Sequence, residues 1–126
     1  MAELRSVAAC FPVADISTTI QWYEEQLGFT ADPFPVCEPY VFAVLYRDRV
    51  EIFLQRVDDY QKPDLYNSRS GGVWDAYIRV NGVNDLYDSV REKATIIEPL
   101  HHQPYGNWEF EIKDPNGYVL VFSEEG

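Results

Sequence analysis

The fold is most clearly indicated by residues 103–122, QPYGNWEFEIKDPNGYVLVF. Two segments within it, roughly Asn107 to Lys113 and Tyr118 to Ser123, carry the alternation and the β-branched and aromatic residues typical of strands. Between them lies Asp114-Pro115-Asn116-Gly117, whose residue types favour a tight reversal of the backbone. The stretch therefore predicts a β-hairpin.

A strand and a helix precede this hairpin. The residues from Val73 to Val80 are typical of a strand, and a helix is predicted from about Val83 to Lys93. Its apolar face consists of Val83, Leu86, Tyr87 and Val90. Strand, helix and hairpin together form one unit.

The first half of the chain begins in the same way. Residues 4–13 predict a strand, and a helix capped by Asp15 or Ser17 is predicted to run to about Leu27. Gly28 suits the left-handed backbone conformation that commonly follows a final helical turn.

A strand pair follows this first helix as well. After a loop around Asp32-Pro33 and Pro35, strands are predicted from Tyr40 to Tyr46 and from Arg49 to Arg56. A shift of 67 positions aligns the two halves, pairing Val13 with Val80, Ile16 with Val83, Ile20 with Tyr87 and Tyr23 with Val90. The chain is therefore predicted to be an internal duplication.

These patterns predict an α+β fold of two βαβββ modules whose half-sheets curl around a shared cavity. At 126 residues the chain has the size of one domain. We expect a single domain over residues 1–126, with module 1 at about 1–60, a polar linker at about 61–72 and module 2 at about 73–126.

The composition excludes several classes of partner. Ten Lys and Arg against 21 Asp and Glu give a formal net charge of -11, which repels nucleic acid and anionic membranes. The same acidity serves solubility or gathers cationic ligands, and both interpretations stay open. The two cysteines, Cys10 and Cys37, encode neither a disulfide framework nor a zinc site. No secretory leader or membrane-spanning stretch is evident, so a cytoplasmic location is expected.

Three stretches carry a resemblance to a known family: VADISTTIQWYEEQLGF at 13–29, VNGVNDLYDSV at 80–90 and QPYGNWEFEIKDPNGYVLVF at 103–122. They resemble the glyoxalase/bleomycin-resistance/extradiol dioxygenase superfamily, also called the vicinal oxygen chelate superfamily. Its enzymes place metal ligands on the first and last strands of each module. The resemblance puts these ligand positions at Ala8, Glu51, Asp75 and Val121.

Two of these four positions hold side chains without a donor atom, Ala8 and Val121. A catalytic divalent metal needs about three protein ligands, so no metal or other cofactor is expected. An alternative is a rearranged divalent-metal site formed by Glu51, Asp75, His101 and His102. Neighbouring histidines on a strand point to opposite faces, so at most one of the pair would reach a given metal.

The part of the resemblance that does not depend on a metal is to bleomycin-resistance proteins. It implies a homodimer that sequesters a small cationic aromatic ligand of the antibiotic type without catalysis. Aromatic stacking and acidic side chains would hold such a ligand. The candidate ligand-binding residues are Phe34, Phe42, Glu51, Phe53, Asp75, Tyr77, Tyr105, Trp108, Glu109 and Glu111.

Glu109 and Glu111 alternate with Trp108, Phe110 and Ile112 along one predicted strand. Hydrophobicity places the glutamates away from the helix, either in the cavity or on a solvated strand face. Trp74 and Tyr118 are interpreted as core or interface residues.

Two other functions stay open. The first is a metal-dependent lyase, isomerase or dioxygenase that uses Glu51 as its base, together with Asp75 and a histidine. The second is an interaction module whose pocket has no remaining role.

Overall fold

The computed structural model describes residues 1–126, which contain eight strands, two α-helices and one short 3-10 helix. Two compact units divide the chain, Met1–Tyr60 and Gln61–Gly126. The first unit consists of β1 (Ala9–Val13), α1 (Ile16–Leu27), β2 (Thr30–Phe34), β3 (Phe42–Arg47) and β4 (Val50–Arg56). The second consists of the 3-10 helix (Tyr66–Ser68), β5 (Ala76–Arg79), α2 (Val83–Val90), β6 (Thr95–His102), β7 (Asn107–Lys113) and β8 (Val119–Glu125).

Each unit contains one four-stranded sheet with the same topology. The strand orders are β1-β4-β3-β2 and β5-β8-β7-β6. The first pair in each order is parallel and the other two pairs are antiparallel. The predicted α+β class and the duplicated βαβββ module are thereby confirmed. That the chain forms a single domain stays a prediction.

Helix α1 begins and ends as the sequence indicates. The backbone N–H of Thr18 donates to Asp15 Oδ1 at 3.0 Å, so Asp15 rather than Ser17 is the N-cap. Gly28 follows the last turn with a φ of 67°, in the left-handed region that glycine adopts without steric cost. The buried face of the helix is formed by Ile16, Thr19, Ile20, Tyr23 and Leu27.

Helix α2 has no side-chain cap of its own, and Glu124 of β8 supplies one. The Glu124 carboxylate accepts hydrogen bonds from the backbone N–H groups of Gly82 and Val83, at 3.0 and 2.9 Å. The pKa of Glu124 is lowered, because these two hydrogen bonds stabilise its charged form. The helix packs on β7, where the rings of Tyr87 and Phe110 are 5.1 Å apart.

The first strand is shorter than predicted. It begins at Ala9 rather than at residue 4, and Leu4 and Val7 are exposed. The parallel pairing of β1 with β4 starts at Ala9 opposite Ile52, so the preceding residues have no neighbouring strand to bind. An apolar run becomes a strand only where another backbone satisfies its hydrogen bonds.

The sequence-based prediction assigns no residues to two strands at the sheet edges, β2 and β6. The expected loop at Asp32-Pro33 is part of β2, and β6 contains Pro99. Both are edge strands, where the missing proline N–H can face away from the ladder. Helix α2 ends at Val90 rather than near Lys93.

Neither α1 nor α2 has the length and hydrophobicity of a membrane-spanning helix.

Candidate ligand-binding site

One face of the second sheet carries a group of polar and aromatic side chains. In β7, Phe110 and Ile112 are buried on the side of α2, and strand alternation turns Glu109 and Glu111 to the opposite face. Glu109 is paired with Ser123 of β8. Tyr77 of β5, opposite Val121, shares this face. We call it the glutamate face.

Glu109 is fully buried, with 0% of its surface exposed. Its Oε1 accepts a hydrogen bond from the Tyr105 hydroxyl at 2.5 Å, and its Oε2 accepts one from the Tyr77 hydroxyl. Tyr77 has one hydroxyl proton, so when it donates to Glu109 its oxygen accepts from Asn107 Nδ2 at 3.2 Å and from Ser123 Oγ at 2.8 Å. Every polar group of this network is thereby satisfied.

Glu111 is also buried, with 3% of its surface exposed. Its Oε1 accepts a hydrogen bond from the Tyr66 hydroxyl at 2.6 Å, and Trp74 donates a second one from its side chain. The pKa of Glu111 is raised, because desolvation outweighs the opposing hydrogen bond from Tyr66, and nearby Glu98 adds repulsion. Of the two positions expected for these glutamates, a cavity or a solvated strand face, the solvated face is therefore wrong.

No lysine or arginine forms an ion pair with Glu109 or Glu111. Their hydrogen-bond donors are phenol and indole groups, which carry no charge. The pKa values of Tyr66 and Tyr105 are raised, first by desolvation and then by the hydrogen bond to the neighbouring glutamate. The glutamate face thus holds two buried carboxylates without a protein countercharge.

Aromatic surface surrounds this face. Trp74 and Tyr105 are 39% and 58% exposed. The ring of Trp74 lies 5.5 Å from that of Tyr77, and the guanidinium of Arg79 is 5.6 Å from the centre of the same Tyr77 ring. Trp74 is not a core residue, because its ring is partly exposed beside the carboxylates. The alternative interpretation, an interface position, stays a prediction.

Two predicted residues of the second unit lie elsewhere. Asp75 forms an ion pair with Lys62 at 3.3 Å and accepts a hydrogen bond from the Val119 N–H at 2.8 Å, so it serves the backbone of β8. Trp108 alternates with Glu109 and therefore lies on the opposite face of β7. There it contacts the ring of His102 at 5.0 Å. The prediction that Trp108 adds to the aromatic surface near the glutamates is therefore wrong.

The predicted residues of the first unit share one face of its own sheet. Phe34 is paired with Phe42. The rings of Phe42 and Phe53 are 5.5 Å apart, and Glu51, two residues before Phe53, is exposed. Apart from Asp75 and Trp108, the predicted residues thus form two groups, one on each sheet.

The residues that the superfamily resemblance assigns to a metal do not fit one. The strand register places Val119, and not Val121, next to Asp75, and neither valine offers a donor atom.

His101 and His102 are paired with Glu109 and Trp108, so they point to opposite faces of β6. No three His, Cys, Asp or Glu side chains are grouped as a metal would require. Within the second unit, Asp75 is bound to Lys62 and to the backbone of β8 and is not grouped with the two histidines. A metal set that includes Glu51 stays a prediction.

Several residues of the glutamate face are not predicted by the sequence. Tyr66 lies in the polar segment expected to be a linker, Asn107 is the first residue of β7, and Ser123 lies within β8. Asn107 belongs to the stretch 103–122, but only as part of a predicted strand, and Tyr66 belongs to no periodic pattern or motif. The only sequence signal for Tyr66 is an aromatic residue in a mostly polar connection.

Comparisons with known proteins agree with this architecture. Bleomycin resistance proteins of Geobacillus stearothermophilus and Staphylococcus aureus are 28% identical to this chain over 138 residues, covering 97% of it and 97% of their own length. The solved structure of the bleomycin-binding protein from bleomycin-producing Streptomyces verticillus, complexed with copper(II)-bleomycin, has a TM-score of 0.72 at 18% identity and covers 100% of this chain and 99% of its own. A glyoxalase-related enzyme from Clostridium phytofermentans has a TM-score of 0.77 at 18% identity, with coverages of 99% and 98%.

At these identities the two solved structures support the fold alone. The sequence model of the Glyoxalase/Bleomycin resistance protein/Dioxygenase superfamily matches residues 5–122. Because this match spans nearly the whole chain, the protein belongs to the Glyoxalase/Bleomycin resistance protein/Dioxygenase superfamily.

Proposed function

We propose that this protein binds a small cationic aromatic molecule of the bleomycin type and sequesters it without chemical change. The observation that carries this proposal is the pair of buried carboxylates, Glu109 and Glu111, with no ion-pair partner in the protein. A buried charge is costly unless it is paired. A ligand cation that reaches these carboxylates would supply the missing countercharge.

The aromatic side chains support the same class of ligand. Trp74 and Tyr105 expose ring surface next to the glutamates. Stacking of a flat ligand on such rings, with its cation held over an aromatic face, adds affinity beyond the burial of area. The net charge of -11 favours the approach of a cation.

The relatives support a binding role. Bleomycin resistance proteins match this chain over nearly its full length, and a bleomycin-binding protein shares its fold. The positions that the superfamily resemblance gives to metal ligands include two residues without donor atoms, Ala8 and Val121. Sequestration needs no such metal.

Trp74 provides the readout for a binding experiment. A W22F/W108F variant would leave Trp74 as the single fluorophore, since the chain has three tryptophans. Titration with metal-free bleomycin should quench its emission with a saturable curve, and isothermal titration calorimetry should report the same affinity. Glu109→Gln and Glu111→Gln should each weaken binding about tenfold or more, because a charge-assisted contact is lost.

Glu92→Gln is the matched control for these two variants, because Glu92 is exposed and follows α2, which packs on the opposite face of the sheet. Absence of saturable heat with bleomycin and with other cationic aromatic drugs would contradict the proposal. So would a divalent metal bound at one ion per chain and lost on Glu51→Gln, since that result would favour an enzyme.

We also propose that the protein is a homodimer. Phe34, Val36 and Val41 expose large apolar side chains close together in the chain, and burial against a second copy would remove that surface from water. Sedimentation velocity should give about twice the 14.6 kDa chain mass. A monomer at micromolar concentration would contradict this.

A further inference from the structure

The segment of residues 61–75 reaches over the second unit and ends at β5, and we call it the strap. It pairs with no strand along most of its length, and its one regular element is the 3-10 helix Tyr66–Ser68. From this helix the Tyr66 hydroxyl donates to Glu111 Oε1 at 2.6 Å, a contact between residues 45 positions apart. The middle of the strap is therefore joined to the sheet at a buried carboxylate.

The ends of the strap are fixed independently of Tyr66. Lys62 forms an ion pair with Asp75 at 3.3 Å, and its Nζ lies 5.5 Å from the centre of the Tyr118 ring. The Asp75 N–H donates to the Val119 carbonyl at 2.9 Å. Contacts that do not involve Tyr66 therefore hold both ends of the strap.

Gly72 makes room for the Tyr66 ring. A Cβ at this position would lie 2.5 Å from Tyr66 Cε1, closer than any real side chain allows. Gly71 and Gly72 also have φ values of +86° and +87°, which few other residues adopt readily. The strap is therefore shaped to hold Tyr66 against Glu111.

We infer that Tyr66 is an internal competitor for the ligand, because its hydroxyl occupies the position on Glu111 Oε1 that a donor group of the ligand would take. This inference rests on the function proposed above. A ligand that reaches Glu111 must first break the Tyr66 hydrogen bond and displace the middle of the strap. Tyr66 therefore lowers the affinity and slows association.

A cationic donor is the group best able to displace Tyr66. A neutral donor would replace the phenol with another neutral group on the same carboxylate, and the exchange gains little. An ammonium or guanidinium group carries its own positive charge, so its hydrogen bond to Glu111 is stronger and also neutralises the carboxylate. Tyr66 thus selects for ligands whose donor group to Glu111 is positively charged.

The conservative variant Tyr66→Phe tests this, because it keeps the ring against Gly72 and removes only the hydroxyl. Bleomycin should bind the variant about tenfold more tightly than the wild type in calorimetry, since no internal donor has to be displaced. Stopped-flow quenching of Trp74 should show faster association. Tyr60→Phe is the control, because the Tyr60 hydroxyl makes no hydrogen bond and the variant should bind as the wild type does.

Native-state hydrogen exchange supplies a second readout that needs no ligand. Within the strap, the N–H groups of Ser68 and Gly72 donate to Leu65 and Arg69 at 2.9 and 3.2 Å. Their exchange should accelerate about tenfold in Tyr66→Phe, while amides of β3 and β4 keep their wild-type rates.

The binding and hydrogen-exchange measurements distinguish failure of the proposed function from failure of the inference about Tyr66. If bleomycin binds neither protein but strap exchange accelerates, the proposed ligand class is wrong and the Tyr66 contact still holds the strap closed. If bleomycin binds the wild type and Tyr66→Phe shows equal or weaker affinity, the inference is overturned, because Tyr66 then assists the ligand or does not meet it. Unchanged strap exchange overturns it as well.

Discussion

The Tyr77 hydroxyl donates a hydrogen bond to Glu109, which joins the parallel strand β5 to β7 across β8. The same oxygen lies within hydrogen-bond distance of Ser123 and Asn107. One phenol therefore connects three strands around a carboxylate that has no contact with water.

Removal of this phenol should destabilise the protein. Tyr77→Phe leaves the buried Glu109 with one donor fewer, and we expect a loss of about 2 kcal/mol in the free energy of unfolding. Urea denaturation followed by circular dichroism measures it. Tyr105→Phe is the comparison, because Tyr105 donates to the same carboxylate but is 58% exposed. Water can replace that hydroxyl, so its loss should stay below about 1 kcal/mol. Equal losses in the two variants would contradict the difference expected from exposure.

The two neighbouring glycines of the strap should respond differently to alanine. Both substitutions introduce a Cβ at a positive φ, at a cost of about 1–2 kcal/mol each. Only Gly72→Ala also collides with the Tyr66 ring, since nothing lies within 4 Å of the Cβ position at Gly71. We therefore expect Gly72→Ala to lower the free energy of unfolding further than Gly71→Ala. In a Tyr66→Ala background the difference between the two should vanish, and its persistence would show that the ring is not responsible.

Neutralising Glu111 should change how stability depends on pH. The folded-state pKa of Glu111 is raised by desolvation, so its favourable contribution is complete below the unfolded value near 4.5 and is lost as the pH rises through the folded pKa. Glu111→Gln mimics the protonated form. Its melting temperature should exceed that of the wild type at pH 7, and the difference should shrink toward pH 4. The exposed Glu51→Gln should show no such trend, and a difference independent of pH would refute desolvation of the Glu111 carboxylate as the cause.

Neutralising Glu124 should change the stability of the protein in the opposite direction. Its folded-state pKa is lowered by the N–H groups of Val83 and Gly82, so its contribution is present above pH 4.5 and is lost as the pH falls through the folded pKa. Glu124→Gln should therefore lower the melting temperature at pH 7 and converge with the wild type in acid, as followed by helix ellipticity. The neighbouring Glu125→Gln is the control, because that carboxylate makes no hydrogen bond to α2. Equal effects of the two variants would show that the cap is not responsible.

The site is predicted less completely than the fold. Alternation in residues 107–113 correctly turns Glu109 and Glu111 away from α2, because the side-chain period of a strand is local. The same alternation excludes Trp108 from the face of these glutamates. Tyr66 cannot be found in this way, because its partner lies 45 positions away and no periodicity links the two.

Local sequence signals are sufficient to predict a cap at Asp15 or Ser17 and the Gly28 end of α1, the hairpin around Asp114-Pro115-Asn116-Gly117, and the duplication at a shift of 67 positions. These depend on backbone preferences and on spacings within a few residues. Long-range contacts, in contrast, establish that β2 and β6 are proline-containing edge strands, that Glu124 caps α2, and that Tyr66 binds Glu111. Those contacts depend on which distant backbones lie side by side, and residue spacing along the chain does not encode that.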